Sequence, residues 1–216
     1  MTTGPRPYRS TLRDEQSRVT RRRIVDAGAE LFVERGYVPT TIDAIAERAG
    51  VSRRTVFTSV GSKADILKLA FDWTLAGDDE PIPIADRPVV RQLMQADDPA
   101  DVLGPWLAMN AAINERIATL YLVLVVAADA DPDVATLLAT SDGQRLDGAR
   151  RVVDRVVEVG GLRPDVTRDE AAAILDVLID PMNYRRFVGI HGWEREAYVR
   201  HLQAMATQSI LRSASP

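Results

Sequence analysis

Apolar residues return every three or four positions along most of this chain, and no strand-length run alternates apolar with polar. From about Arg18 to Arg35, Ile24, Ala27 and Leu31 interleave with Val25, Ala29 and Phe32, and Gly36 stops the helix they predict. Thr40 or Thr41 is placed to cap a second, short helix, with Asp43 three residues after Thr40, and Gly50 ends it. Ser52 caps a third helix, and Ser62 with Asp65 opens a fourth that runs to about Gly77. The stretch GDDEPIPIADRP then brings three prolines and no helical period, and is the clearest boundary in the chain.

Beyond it lie a short segment around Val89–Met94 and a long helical stretch from Pro99 to about Ala130. A further helix is expected over Asp133–Val159, closed by Gly160 and Gly161. Thr167 with Glu170 forms a capping box for the next, in which Pro181 is read as a kink. Gly192 and Trp193 break that helix, and a last one runs from Glu194 to about Arg212. The chain reads as all-α: residues 1–16 as a flexible arm, 17–77 as one domain with its connecting helix, and 87–213 as a larger helical domain.

At 216 residues, 46% hydrophobic and 27% charged, the chain has the makeup of a globular protein with room for a substantial core. The absence of cysteine removes disulfides, thiolate metal sites and cysteine nucleophiles together, and fits a cytoplasmic location. The N-terminus has no apolar core of the secretory type, and the apolar run Ile117–Ala128 is too short for a bilayer that needs about 20 residues, so no membrane is expected as partner. Charge changes the picture more. Residues 1–63 hold 12 Lys and Arg against 7 Asp and Glu, a net of +5, whereas the remainder holds 15 against 24, a net of −9. A basic end on an acidic body implies an anionic partner for that end; charge alone leaves nucleic acid and an anionic membrane both open.

The segment IDAIAERAGVSRRTVFTSVGSK has the form helix, short turn, helix, in which the second helix of a DNA-binding motif enters the major groove. Ile42, Ile45 and Ala46 give the first helix an inner face, Val51 sits in the turn, and Val56 anchors the second helix. Arg53, Arg54, Thr55, Thr58 and Ser59 are left on the outer face, with side chains suited to phosphates and base edges. Lys63 and the backbone N–H groups after Ser62 would meet a phosphate at the start of the fourth helix.

The longer stretch RRRIVDAGAELFVERGYVPTTIDAIAERAGVSRRTVFTSVGSKADIL resembles the N-terminal region of the tetracycline-repressor (TetR) family of bacterial transcription regulators. It carries the F-x-E-R-G-Y, T-T-I-x-x-I-A-x-x-A-G-V-S and S-K elements over about 47 residues without a gap. The resemblance implies a three-helix helix-turn-helix domain joined by a fourth helix to a helical ligand-binding and dimerisation domain. It places Thr40 and Thr41 on phosphate, Arg53, Arg54, Thr55, Thr58 and Ser59 on the recognition helix, and Lys63 on the flanking backbone; Ser52 and Phe57 complete the DNA-binding candidates. Two positions depart from the family pattern. Phe57 stands where a tyrosine is common and has no hydroxyl to donate to phosphate, and Val60 replaces a bulky aromatic.

The segment DPMNYRRFVGIHGWEREAYVRHLQAMATQSIL resembles the last two helices of one TetR subgroup, which form a homodimer interface by four-helix packing. Val199, Leu202, Ala206 and Ile210 make one apolar line, and Tyr198, Leu202 and Met205 a second, a width that accommodates a partner helix. With Tyr184 and Val188 these are the dimer candidates, the alternative being a wholly intramolecular core. Along the long helix, Trp106, Asn110, Ile113, Ile117 and Tyr121 hold helical spacing with Asn114 beside them. An apolar face with a few polar atoms suits a small-molecule effector pocket, and such a stripe is also what plain core looks like.

His191 and His201 are the only histidines, ten apart, and complete no metal site; no nucleophile, metal set or cofactor motif supports an enzyme. Arg6, Arg9 and Arg13 on the arm are placed to reach a minor groove. The expected function is a homodimeric regulator, a repressor released from a partly palindromic double-stranded operator by an effector. The alternative is a sequence-tolerant DNA-coating protein, which the acidic body disfavours.

Overall fold

Helix ends fall where a side chain or a glycine can satisfy the terminal backbone groups. The computed structural model describes residues 8–78 and 84–212, apart from the side chains of 8–13 and of Ala85. Arg6 of the expected arm and residues 79–83 of the proline-rich segment lie outside these residues. The described helices are α1 (Tyr8–Arg35), α2 (Ile42–Ala49), α3 (Arg53–Ser59), α4 (Lys63–Ala76), α5 (Pro88–Leu93), α6 (Pro99–Ala127), α7 (Pro132–Glu158), α8 (Arg168–Leu178), α9 (Pro181–Tyr184) and α10 (Arg195–Ile210). A 3₁₀ turn covers Ile84–Asp86, and a π-helical segment, Arg185–Ile190, follows α9 directly. No strand occurs among the described residues; the one isolated bridge joins Leu162 to Leu211.

α1 differs from expectation. It begins at Tyr8 rather than near Arg18, so most of the segment read as a flexible arm is helical. The reason is local: after Pro7 no proline or glycine occurs until Gly28, and Arg, Leu, Glu and Gln are good helix formers.

The chain divides into two compact units, one comprising Met1–Asp72 with Val123–Ala135, the other Trp73–Leu122 with Thr136–Pro216. In the first, α1 contributes Ile24, Val25, Leu31 and Phe32, α2 Ile45, Ala46 and Ala49, α3 Val56, and α4 Ile66, Leu67, Ala70 and Phe71, all buried. α1 packs on both α2 and α3. Gly28 sets how closely α1 and α4 approach, since a Cβ there would lie 2.4 Å from the Ile66 side chain. Truncating a fully buried ring such as Phe32 or Phe71 would cost about 3–5 kcal/mol, a large share of the stability of an ordinary domain.

The second unit is organised by α6, whose Val102, Leu103, Trp106, Leu107 and Ala111 pack with Ala149, Val152, Val153 and Val156 of α7, Ala171, Ala172 and Leu175 of α8, and Tyr198, Leu202, Ala206 and Ile210 of α10. α6 is long and apolar enough, by length and composition alone, to cross a membrane, but this packing is that of a core helix. Thr167 and Glu170 make the expected reciprocal box at the start of α8. Pro181 does not kink a continuous helix. Asp180 takes an extended ψ of 131° and accepts from the Met182 N–H at 2.7 Å, so Pro181 becomes the first residue of a new helix, α9. The segment just after α10 is tied to the α7–α8 connection: the Arg212 N–H donates to the Gly161 carbonyl at 2.7 Å, and the Arg163 N–H to that of Ile210 at 3.0 Å.

Candidate nucleic-acid interface

The turn between α2 and α3 is fixed before any side chain on α3 is considered. Thr41 caps α2, its hydroxyl accepting from the Ala44 N–H at 3.1 Å. Gly50 ends it in the left-handed conformation (φ +65°), where its N–H reaches Glu47 and the Val51 N–H reaches Ala46. Ser52 then caps α3 by accepting from the Thr55 N–H at 3.0 Å. With Val56 buried against α1 and α2, the remaining side chains of α3 have one direction left, outward.

That outer face carries Ser52, Arg53, Arg54, Phe57 and Thr58 exposed, with Thr55 and Ser59 half-buried and no acidic residue on the helix. Arg53 is held on both sides: its Nη1 is 2.8 Å from the Asp43 carboxylate on α2, and its guanidinium lies 5.6 Å from the Phe57 ring centre. Arg54 has no ion-pair partner among the described residues. The Thr58 hydroxyl donates back to the Arg54 carbonyl at 3.0 Å, and the Thr55 hydroxyl lies 2.8 Å from that of Ser52. The Phe57 ring is 47% exposed, an apolar edge on a basic face.

Two candidates sit differently from expectation. Thr40 is 2% exposed, and its hydroxyl donates inward to the Gly36 carbonyl at 2.7 Å and the Leu31 carbonyl at 3.2 Å. It closes the α1–α2 turn rather than projecting a hydroxyl toward phosphate, because the left-handed Gly36 leaves carbonyls that need donors. The Lys63 ammonium donates to the Tyr37 carbonyl at 3.0 Å and lies 4.1 Å above the Tyr37 ring. Burial lowers its pKa, with Asp131 opposing. An ammonium has three donors, so part of its capacity is already spent inside the protein.

Electrostatics brace the frame behind this face. Arg48 on α2 forks onto Glu34 at 2.9 and 3.1 Å and reaches Glu30 at 3.0 Å, both on α1. The hydrogen bonds from Arg48 hold the Glu34 carboxyl below its ordinary range.

In the second unit, the effector candidates divide. Trp106, Asn114, Ile117 and Tyr121 are buried, and Asn110 and Ile113 half-buried. Asn110 donates to its own helix at the Trp106 carbonyl, and Asn114 to the Ile179 carbonyl at 2.8 Å. The Tyr121 hydroxyl donates to Asp142 at 2.7 Å and accepts from Arg145 at 3.2 Å. Burial and the bond to Asp142 push its pKa up to about 12.

Arg145 escaped the sequence reading and is the centre of this polar cluster. Only 15% of its side chain is exposed, and it also meets Asp176 at 2.9 Å and Asp180 at 3.6 Å. Among the described residues no group of three His, Asp or Glu is arranged to hold a metal ion.

The dimer candidates need correction. Tyr184, Leu202, Ala206 and Ile210 are buried in the core of their own unit, and Val188 and Val199 pack against it half-exposed. The apolar line of α10 is consumed within the chain. The large apolar side chains left exposed from α8 to α10 are Val177 on α8, Ile190 on the π-helical segment, Trp193 in the connection that follows it and Met205 on α10.

Comparison with known proteins converges on one family. Residues 24–70 match the family described as bacterial regulatory proteins, tetR family. The HTH-type transcriptional regulator YdeS of Bacillus subtilis (strain 168), itself uncharacterised, is 28% identical over 193 residues, 88% of this chain and 89% of that protein. HTH-type transcriptional regulator SrpR of Pseudomonas putida is 43% identical over 49 residues, 23% of each chain. Among solved structures, a TetR transcriptional regulator from Chloroflexus aurantiacus J-10-FL superposes with a TM-score of 0.65 at 20% identity, over 92% of this chain and all of that one. SmeT in complex with triclosan, the repressor of an efflux pump in Stenotrophomonas maltophilia, superposes with a TM-score of 0.67 at 18% identity, over 90% of this chain and 93% of that one. A capped, acid-free α3 on a three-helix frame accords with these relatives: residues 24–70 match the DNA-binding region of the tetR family of bacterial regulatory proteins, and the rest of the chain shares the all-α fold of its members.

Proposed function

We propose that the protein is a homodimeric repressor that sets α3 of each protomer into a major groove of a partly palindromic operator and releases it on binding a small-molecule effector. The observation that carries the DNA half is the outer face of α3. Arg54, Thr58 and the Asp43-held Arg53 are exposed on a helix whose start is fixed by Ser52 and Gly50. Arg53 and Arg54 supply forked donors for guanine or phosphate, and Thr41, Thr55, Ser59 and the remaining capacity of Lys63 supply positioning contacts. Val177, Met205, Val188 and Val199 offer the partner surface of a two-fold dimer, which would place half-site centres about 34–36 Å apart.

The effector half of the proposal is supported by α6. Asn110, Asn114 and Tyr121 bring polar atoms to one face of it, near the Arg145 cluster. On the same helix, Arg116 donates to the Thr74 carbonyl at 3.0 Å and the Leu75 carbonyl at 2.9 Å, the last turn of α4. A ligand that shifts α6 would disturb this clasp and move α4, the helix that directly follows the recognition helix α3. DNA affinity then falls by the ratio of ligand affinities in the two states. The triclosan bound to SmeT makes an apolar aromatic compound a sensible first probe. The protein acts in the cytoplasm, where its operator lies.

Selection of random duplexes by the purified protein, followed by sequencing of the enriched pool, tests the reading. An inverted repeat with half-sites about one helical turn apart is expected. Retention without an enriched motif would replace it with sequence-tolerant binding, and no retention in any salt or ligand condition would sink it.

A further inference from the structure

We propose that Phe57 is a specificity-determining residue of the DNA face, its ring covering the 5-methyl group of one thymine in each half-site while Arg53 meets the adjoining base pairs. The inference rests on the major-groove reading of α3 and names a base which that reading leaves open. Its starting observation is exposure. Of the four phenylalanines in the chain, Phe32 and Phe71 are buried and Phe187 packs half-buried against the core of its own unit, whereas Phe57 is 47% exposed. A lone exposed apolar side chain is ordinary on a protein surface. This one stands on a seven-residue helix with two arginines and no acid, and Arg53, Arg54 and Thr58 are exposed with it.

Few groups on duplex DNA suit such a ring. It carries no hydrogen-bond donor or acceptor, so setting it against a phosphate would strip water from the anion and return nothing. The edges of the bases in the major groove present donors, acceptors and one apolar group, the 5-methyl of thymine. Contact with that methyl is the one interaction through which a phenylalanine reads sequence there.

The local geometry directs the sequence reading to the ring and the arginines. The hydroxyls of α3 are engaged on the helix itself: Thr58 spends its proton on the Arg54 carbonyl at 3.0 Å, and Ser52 and Thr55 lie 2.8 Å apart, with Ser52 also accepting from the Thr55 N–H. The ring, in turn, is not alone. Arg53 precedes Phe57 by one turn, and its guanidinium lies 5.6 Å from the ring centre while its Nη1 is 2.8 Å from Asp43 on α2. Successive bases on a strand are about 3.4 Å apart, so a ring and a guanidinium at this separation cover base pairs about one or two steps apart. Guanine is the commonest base partner of arginine. The half-site should therefore hold a thymine within about two base pairs of a guanine.

The test uses the operator that the wild type selects, with its thymines replaced one at a time, in both half-sites together, by deoxyuridine. That change keeps base pairing and removes only the methyl. At one position the wild type should lose about tenfold in affinity, the effect of uncovering one methyl per half-site. Phe57→Ala should bind the thymine operator more weakly than the wild type and bind the thymine and deoxyuridine duplexes alike at that position. Phe57→Leu, still apolar, should keep part of the difference. Circular dichroism and light scattering check that the variants fold and assemble as the wild type does. A wild type indifferent to deoxyuridine at every position would overturn the proposal. So would a Phe57→Ala variant that feels the missing methyl as strongly as the wild type, because another side chain then reads it. A Phe57→Ala variant that changes only the oligomeric state, with operator preference intact, would overturn it as well and make the ring a protein contact. A wild type that selects no operator at all would instead bring down the major-groove reading, and this assignment with it.

Discussion

The Tyr37 hydroxyl, at the turn after α1, donates to the Asp131 carboxylate at 2.6 Å across 94 residues of sequence. The same ring lies beneath the Lys63 ammonium, so tyrosine, carboxylate and lysine from three parts of the chain meet at the base of the helix-turn-helix. The bond from Tyr37 is the main cause holding the Asp131 carboxyl below its ordinary range, while burial first and Asp131 second push the Tyr37 hydroxyl above its own.

Tyr37→Phe keeps the ring and removes the bond. A hydrogen bond to a charged acceptor contributes about 1.5 kcal/mol or more, so a loss of about 1–2 kcal/mol is expected at pH 7. The sign with pH follows from the shifts. Asp131 has a lowered folded pKa, so its contribution is present above about pH 4 and is lost as pH falls through the folded value. Tyr37 has a raised one, so its contribution is present below about pH 10 and is lost above. Urea unfolding of variant and wild type at pH 7 and pH 3 checks this; a gap that stays as wide in acid would contradict it.

Thr40→Val tests whether Thr40 is a piece of the turn or a phosphate ligand. The isostere strips two carbonyls, of Gly36 and Leu31, of their donor in a buried site, which costs about 1–3 kcal/mol. The midpoint of thermal unfolding should drop by several degrees. The salt slope of operator binding should not change, because the hydroxyl does not face solvent. A slope smaller by about one unit with stability intact would return Thr40 to the phosphate backbone.

The sequence reading succeeded where a local signal has one physical meaning. Gly50, Ser52, Thr167 with Glu170, and Gly160 terminate helices because backbone groups at those points need a cap or a positive φ. It failed where a signal states burial without naming the partner. The line Leu202, Ala206 and Ile210 is apolar for the reason any buried line is, and only the packing reveals that α6, α7 and α8 occupy it. Pro181 could kink a helix or start one, and the Asp180 cap decides between them. Arg145 was invisible because an Arg three residues after Asp142 looks like a surface pair; its burial depends on Asp176, 31 residues away.

Arg145→Met should be among the most damaging single changes in the second unit. It leaves Asp142, Asp176 and Asp180 around a site from which the cation has gone, and breaking a largely buried pair costs about 3 kcal/mol. Since the uncompensated carboxylates cause most of that loss, Arg145→Met/Asp176→Asn should regain a good part of it. Chemical denaturation of the two single variants and the double gives the coupling. Additive losses would mean that the cluster is a set of independent surface contacts.

Asp43→Asn should strengthen DNA binding, the opposite of what removing a surface ion pair usually does. Asp43 and Arg53 are both more than half exposed, and such a pair adds well under about 1 kcal/mol to folding. The carboxylate instead competes with DNA for the Arg53 guanidinium and places a negative charge beside the face where phosphates would approach. Removing the charge should raise operator affinity several-fold and steepen the salt slope by up to about one unit, with thermal stability within a degree or two. A titration of labelled operator at two salt concentrations, with wild type alongside, reads both quantities. If affinity falls instead, Asp43 is aligning Arg53 for a base rather than withholding it, and Arg53→Lys, which cannot keep the forked geometry, should then lose sequence preference as well.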